Sequence, residues 1–183
     1  MQIIDLNIEN ESMLNQTATI LYEAFPHSWT NMQEALEEVH ECSSNDRISR
    51  VTVDDEMNVL GWIGGRSMYS GNVWELHPLV VESRFRGKGI GSALVKDFEE
   101  QVRIKGGITV WLGADDENGS TTLSGIDVYP DVLKHIAGIR NIKQHPYEFY
   151  QKLGYTIVGI LPDANGFGKP DIYLAKRVGE IDR

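Results

Sequence analysis

The segment Arg86-Gly87-Lys88-Gly89-Ile90-Gly91-Ser92 constrains this chain more than any other stretch. It follows the apolar run Val73 to Val81. It precedes a helix-patterned stretch, Gly91 to Lys105, in which Leu94, Phe98 and Val102 recur every four residues. Glycines at 87, 89 and 91 allow sharp turns and let the backbone come close to a ligand. The opening amides of a helix lack internal acceptors, and the helix dipole adds partial positive charge there. With Arg84, Arg86 and Lys88 alongside, the segment predicts an anion site suited to a diphosphate. Two familiar nucleotide loops are excluded by spelling. The phosphate loop requires G-x-x-x-x-G-K-[ST]. The dinucleotide fingerprint requires G-x-G-x-x-G after a first strand, with an acidic residue about 20 positions on.

The elements around this loop follow from periodicity. Ile3 to Leu6 reads as a strand. Ser12 to Phe25 reads as a helix with Leu14, Ala18, Leu21, Tyr22 and Phe25 on one stripe, ended by Pro26. Thr30 to Gln33 has capping-box spacing and opens a second helix through about Cys42. Arg47 to Asp54, Val59 to Arg66 and Asn72 to Val81 read as three strands with connections short enough for hairpins. Beyond the glycine loop and its helix come a strand at Ile108 to Leu112 and an acidic loop at Gly113 to Thr122. A helix is expected over Pro130 to Ile139, and a short one from His145-Pro146 to Gly154. Strands at Thr156 to Leu161 and Asp171 to Lys176 close the chain. This order predicts a mixed α/β (α+β) class, one sheet with helices on both faces. At 183 residues a single domain spanning 1–183 is expected.

Charge narrows the partners. Seventeen Lys and Arg against 27 Asp and Glu leave a net charge of −10, unsuited to nucleic-acid backbones and attractive to a polycationic small molecule. The single cysteine, Cys42, excludes an internal disulfide and a cysteine zinc site, and no metal is expected. It falls in a predicted helix, where a small semi-buried side chain is the expected reading. No run approaches the length of a membrane span, and the N-terminus lacks signal-peptide order, so a cytoplasmic protein without membrane partners is expected.

Val73 to Val81 spells V-W-E-L-H-P-L-V-V. Alternation puts Glu75, His77 and Leu79 on one face and Trp74, Leu76 and Val80 on the other. Pro78 donates no ladder hydrogen bond, which marks a bulge or a strand parting from its neighbour. Such a face suits acyl transfer to an amine. Glu75 can accept the amine proton, directly or through water, with His77 assisting. The freed Leu79 N–H can face an oxyanion. A solvent-facing Glu–His pair would read the same way, but its place one loop before the anion site points to function. Tyr150 lies three residues after Tyr147 in a short helix, either as a phenol able to protonate a leaving thiolate or as part of an aromatic core stripe.

Strand, parting proline, Arg86-x-x-Gly89-x-Gly91, helix, strand, then a Tyr-bearing helix and another strand: this order resembles the GNAT superfamily of acetyltransferases. Trp74 to Ser83 (WELHPLVVES), Gly106 to Gly113 (GGITVWLG), His145 to Tyr155 (HPYEFYQKLGY) and Leu161 to Ile172 (LPDANGFGKPDI) look like blocks of the bacterial aminoglycoside 6′-N-acetyltransferases. The resemblance covers nearly the whole chain. It implies a mostly antiparallel central sheet with a parallel, splayed strand pair, acetyl-coenzyme A as cosubstrate, direct transfer in a ternary complex, and a homodimer. It also implies roles for residues. Glu75 would position or deprotonate the amine beside His77. Leu79, Val80 and Val81 would pair with the pantetheine arm. Arg84 and Arg86 to Ser92 would cradle the pyrophosphate, and Tyr150 would lie near sulfur. An acidic substrate cleft would draw on Asp115, Asp116 and Glu117, with Phe25 and Tyr69 as walls; a solvated acidic turn is the plainer alternative. Asn118 stands where similar enzymes tend to carry another carboxylate. Other readings are acetyl transfer to a polyamine, protein N-terminus or lysine, and a coenzyme-A sensor without turnover.

Overall fold

Capping chemistry sets the first helices. In the computed structural model, which describes residues 1–44 and 46–179, the Asn10 side chain accepts from Met13 N–H and opens α1, Glu11–Ala24. Helix α2, Met32–Glu41, uses Asn31 in the same way, accepting from Glu34 N–H at 3.0 Å. Glu34 reaches back to the Thr30 N–H at 2.7 Å. The expected box of Thr30 and Gln33 is therefore shifted by one residue. Asn caps as well as Thr, and a carboxylate is a stronger acceptor than the Gln33 amide.

The chain forms two compact units, Met1–Val110 with the chain from Val178, and Trp111–Arg177. In the first, β1 (Gln2–Asp5), β2 (Arg47–Val53), β3 (Val59–Met68) and β4 (Val73–Val81) pair antiparallel in sequence order. Helix α3, Ile90–Ile104, follows the glycine loop. The chain then enters β5 (Thr109–Asp115), where Asn72 O accepts from Ile108 N and Thr109 N at 2.9 and 3.0 Å. β5 thus sets out from beside the start of β4, as a parallel neighbour would.

Helices cover both faces of this sheet. Leu14, Ala18 and Leu21 of α1 and Ala35 and Val39 of α2 are buried with Val51, Trp62 and Val80. On the other face, glycines in β3 admit α3. A Cβ on Gly61 would meet Leu94 at 3.2 Å, and one on Gly65 would meet the Phe98 ring at 2.3 Å. Trp62 and Phe98 are the two largest of the described side chains that are fully buried.

In the second unit β7 (Asp171–Arg177) lies between β5 and β6 (Thr156–Leu161), and β6 and β7 pair antiparallel. Trp111 and Tyr173 meet edge to face at 5.4 Å. Helices α4 (Val132–Ala137) and α5 (Tyr147–Lys152) are short, and α4 is shorter than the expected Pro130 to Ile139. Strand β5 runs three residues beyond the expected Leu112, taking Gly113 to Asp115 out of the predicted loop. Gly113 accounts for this extension, because a Cβ there would meet the Asp171 carboxylate at 2.4 Å. Among the described residues no helix is long and apolar enough to cross a membrane.

Candidate active site

Burial along β4 alternates as its sequence requires. Trp74, Leu76 and Val80 are buried, Glu75 and Leu79 are partly exposed, and His77 is exposed. Leu79 pairs with Ile63 and Leu76 with Gly65, so His77 and Pro78 together face the single residue Gly64. That is a β-bulge, one of the two outcomes Pro78 signalled. Gly64 permits it: a Cβ there would meet His77 O at 2.8 Å.

The bulge sets His77 beside an aromatic chain. Its ring lies 6.1 Å from Trp29, which meets Phe25 edge to face at 5.8 Å. Phe25, expected as a substrate wall, is exposed; Trp29 closes the turn after α1 through Trp29 N–H to Phe25 O, a placement that no sequence pattern signals. Tyr69, the other expected wall, is exposed and sits in a left-handed turn between β3 and β4. Glu75 carries an ion pair with Arg66 across the β3–β4 ladder. These two share a cleft of about 220 Å³ with His77, Glu38, Glu41 and Arg47. Hairpin register alone would have located Arg66, since Met68 to Gly71 fixes which β3 residue faces Glu75.

Past β4 the glycine loop leaves its backbone donors unanswered. Gly87 and Gly89 have φ of 75° and 86°, and a Cβ on either would meet nothing within 4 Å. Gly89 caps α3 without any side-chain bond. Among the described residues the amides of Gly87, Lys88, Gly89, Ile90, Gly91 and Ser92 have no protein acceptor; the helix ladder begins at Ala93 N–H to Gly89 O. Several N–H groups therefore converge at a helix N-terminus that carries partial positive charge. The cations nearby are held against the protein. Arg86 Nε donates to Val81 O at 3.0 Å, Arg84 Nε to Glu82 at 2.7 Å, and Lys88 lies over the Phe85 ring at 4.7 Å. A row of amides without protein acceptors, with open space above Gly87 and Gly89, fits a diphosphate.

Cys42 is fully buried, donates to Glu38 at 3.2 Å, and has its pKa pushed up by that burial. A thiol of that kind stays protonated, which removes it as a nucleophile.

The second unit arranges its carboxylates differently from expectation. Asp116, expected in a substrate cleft, is 1% exposed. Its oxygens accept from Ser120 N–H at 2.5 Å, Thr121 N–H at 2.9 Å and Thr121 Oγ1 at 2.6 Å. This carboxylate holds its own loop closed. Asp115 stays exposed and accepts from Asn165 at 2.6 Å; Glu117 and Asn118 are exposed. His145 is buried, with Nδ1 accepting from Tyr147 N–H at 3.1 Å, which leaves Nε2 to donate to Asp115 O at 3.1 Å. Burial holds its pKa below the ordinary 6.5 despite the opposing charge of Asp116. Tyr150 is buried edge to face with Phe149 and Tyr155 at 5.0 and 5.7 Å, and burial pushes its phenol above the ordinary 10. It stays protonated, so it could give a proton but not take one.

The model of the acetyltransferase (GNAT) family matches residues 14–122. No curated protein matches the chain. Among solved structures, an aminoglycoside 6′-N-acetyltransferase complexed with coenzyme A is 43% identical, with a TM-score of 0.93 over 100% of this chain and 99% of that one. The aminoglycoside 6′-N-acetyltransferase from Enterococcus faecium is also 43% identical, with a TM-score of 0.91 over the same shares. An aminoglycoside 6′-acetyltransferase type Ii is 38% identical, with a TM-score of 0.78, again over 100% and 99%.

Proposed function

The chain belongs to the acetyltransferase (GNAT) family, and from that premise we propose that it moves an acetyl group from acetyl-coenzyme A to the 6′-amine of an aminoglycoside. The observation that carries the reading is the unanswered amide row from Gly87 to Ser92, beyond the strand that bears Glu75 and His77. The substrate class rests on whole-length similarity to aminoglycoside 6′-N-acetyltransferases and on the net charge of −10.

Acetyl-coenzyme A supplies the acetyl group as an activated thioester. The chain's own residues hold it and move protons. The amides of Gly87 to Ser92 bind the diphosphate, with Arg84, Arg86 and Lys88 adding positive charge around them. The backbone of Leu79, Val80 and Val81 lines the pantetheine arm, and the Leu79 N–H stabilises the oxygen on which negative charge develops. Glu75 orients the amine and takes its proton, directly or through water, and His77 assists. Tyr150 returns a proton to the departing sulfur. Phe25, Tyr69, Asp115 and Asn118 contact the sugar rings, while Asp116 acts indirectly by shaping its loop. Transfer is direct, in a ternary complex. The reading also takes the chain as one catalytic domain, a homodimer in the cytoplasm, and a determinant of aminoglycoside resistance.

The test is a panel of amines offered with acetyl-coenzyme A while thiol release is followed. Kanamycin-type sugars should turn over well ahead of spermidine and peptide amines. Preference for spermidine or a peptide would move the substrate class, and no thiol release with any amine would leave a coenzyme-A sensor.

A further inference from the structure

Arg66 occupies an unusual place in the cleft beside β4. Its cross-strand partner on one side is Glu75, and on the other it is Arg47. Two arginines facing each other across a ladder repel. The repulsion is offset because α2 brings Glu38 and Glu41 into the same cleft. Arg66 therefore has two sets of carboxylates within its surroundings, and it pairs with Glu75.

The pair is asymmetric. The Glu75 side chain is 16% exposed and fixed on a strand beside a bulge, whereas the Arg66 side chain is 50% exposed. A half-solvated arginine on a long flexible stem gives up an ion pair at small cost. An ammonium arriving at Glu75 meets a carboxylate that is already paired. Each further positive charge on the incoming amine interacts with Glu38 and Glu41 as well, which helps it compete with Arg66.

Resting on the reading that Glu75 meets the substrate amine, we propose that Arg66 is a displaceable placeholder. It occupies Glu75 in the free protein and yields to a polycationic amine, whose further charges meet Glu38 and Glu41 while the half-exposed Arg66 swings into solvent. A monocation competes poorly. Arg66 is thus a positioning residue that selects for charge on the substrate, and it acts through Glu75.

The experiment compares kcat/KM for kanamycin and for monocationic 6-amino-6-deoxyglucose in the wild type, Arg66→Gln, Arg66→Lys, Glu75→Gln and the Arg66→Gln/Glu75→Gln double variant. Arg66→Gln should narrow the preference for kanamycin about fivefold, the effect expected from a part-exposed ion pair. The change should lie in the KM for the amine, with the KM for acetyl-coenzyme A unmoved, and Arg66→Lys should restore the wild-type preference. An unchanged preference in Arg66→Gln, or a monoamine still without detectable turnover, overturns the proposal. So does the same narrowing in the double variant relative to Glu75→Gln, because Arg66 would then be a general surface charge. Full activity in Glu75→Gln would sink the underlying role of Glu75 and the placeholder with it. A slow Glu75→Gln beside an unresponsive Arg66→Gln would sink the placeholder alone.

Discussion

Two loops in this molecule follow a strand and present several backbone amides, yet they are finished in opposite ways. After β5, Asp116 turns inward and accepts from Ser120 N–H and Thr121 N–H, so the loop carries its own anion. After β4, the amides from Gly87 to Ser92 find no acceptor among the described residues. Glycine serves both, with positive φ at Gly119 in one and at Gly87 and Gly89 in the other. Glycine content therefore does not separate a structural loop from a binding loop. What separates them is whether the chain supplies the acceptor.

The comparison can be broken most severely at Asp116. Asp116→Ala should cost roughly 3 kcal/mol of stability in urea unfolding, because it strands donors that a buried carboxylate satisfies, while coenzyme A affinity persists. A small loss would mean that the loop does not depend on its internal anion. Next in size is Gly89→Val. A β-branched residue at φ of 86° is strained, and its side chain would fill the open space above the loop. Calorimetry should find coenzyme A binding weakened about 30-fold, with less harm to folding than at Asp116.

A smaller effect should come from pH. Burial lowers the pKa of His145, which donates to Asp115 O beside the closed loop. Below pH 6.5 the unfolded chain takes up a proton that the folded one resists. Stability should then fall as pH drops through the interval between 6.5 and the lower folded value. Thermal unfolding at pH 7.5 and 5.5 should show this loss, and His145→Asn should reduce it. The smallest effect is expected from Lys88→Gln. Its ammonium lies over Phe85, so removing it should weaken coenzyme A only about threefold, if the backbone carries the binding. A loss matching that of Gly89→Val would shift the weight from amides to side chains.

The strands, the bulge at Pro78 and the glycine loop were legible in the sequence because each rests on local chemistry: alternation, a missing N–H, a positive φ. The Arg66–Glu75 pair was half legible, since hairpin register places the two opposite each other. Trp29 was not, because its approach to His77 depends on how the turn after α1 folds back. Asp116 was misread for a related reason. An Asp-Asp-Glu run looks the same in sequence whether its carboxylates face water or cap a turn, and only the amides of Ser120 and Thr121 decide. The expected end of β5 at Leu112 failed because Gly113 reads as a breaker, whereas here it admits the Asp171 carboxylate.

The central claim is that main-chain donors between Gly87 and Ser92 hold the diphosphate of coenzyme A. A crystal structure of the protein soaked with coenzyme A tests it directly. The account predicts diphosphate oxygens within hydrogen-bond distance, about 3 Å, of several of those N–H groups, with the loop backbone unchanged. A diphosphate bound elsewhere, or amides turned away from it, would contradict the account.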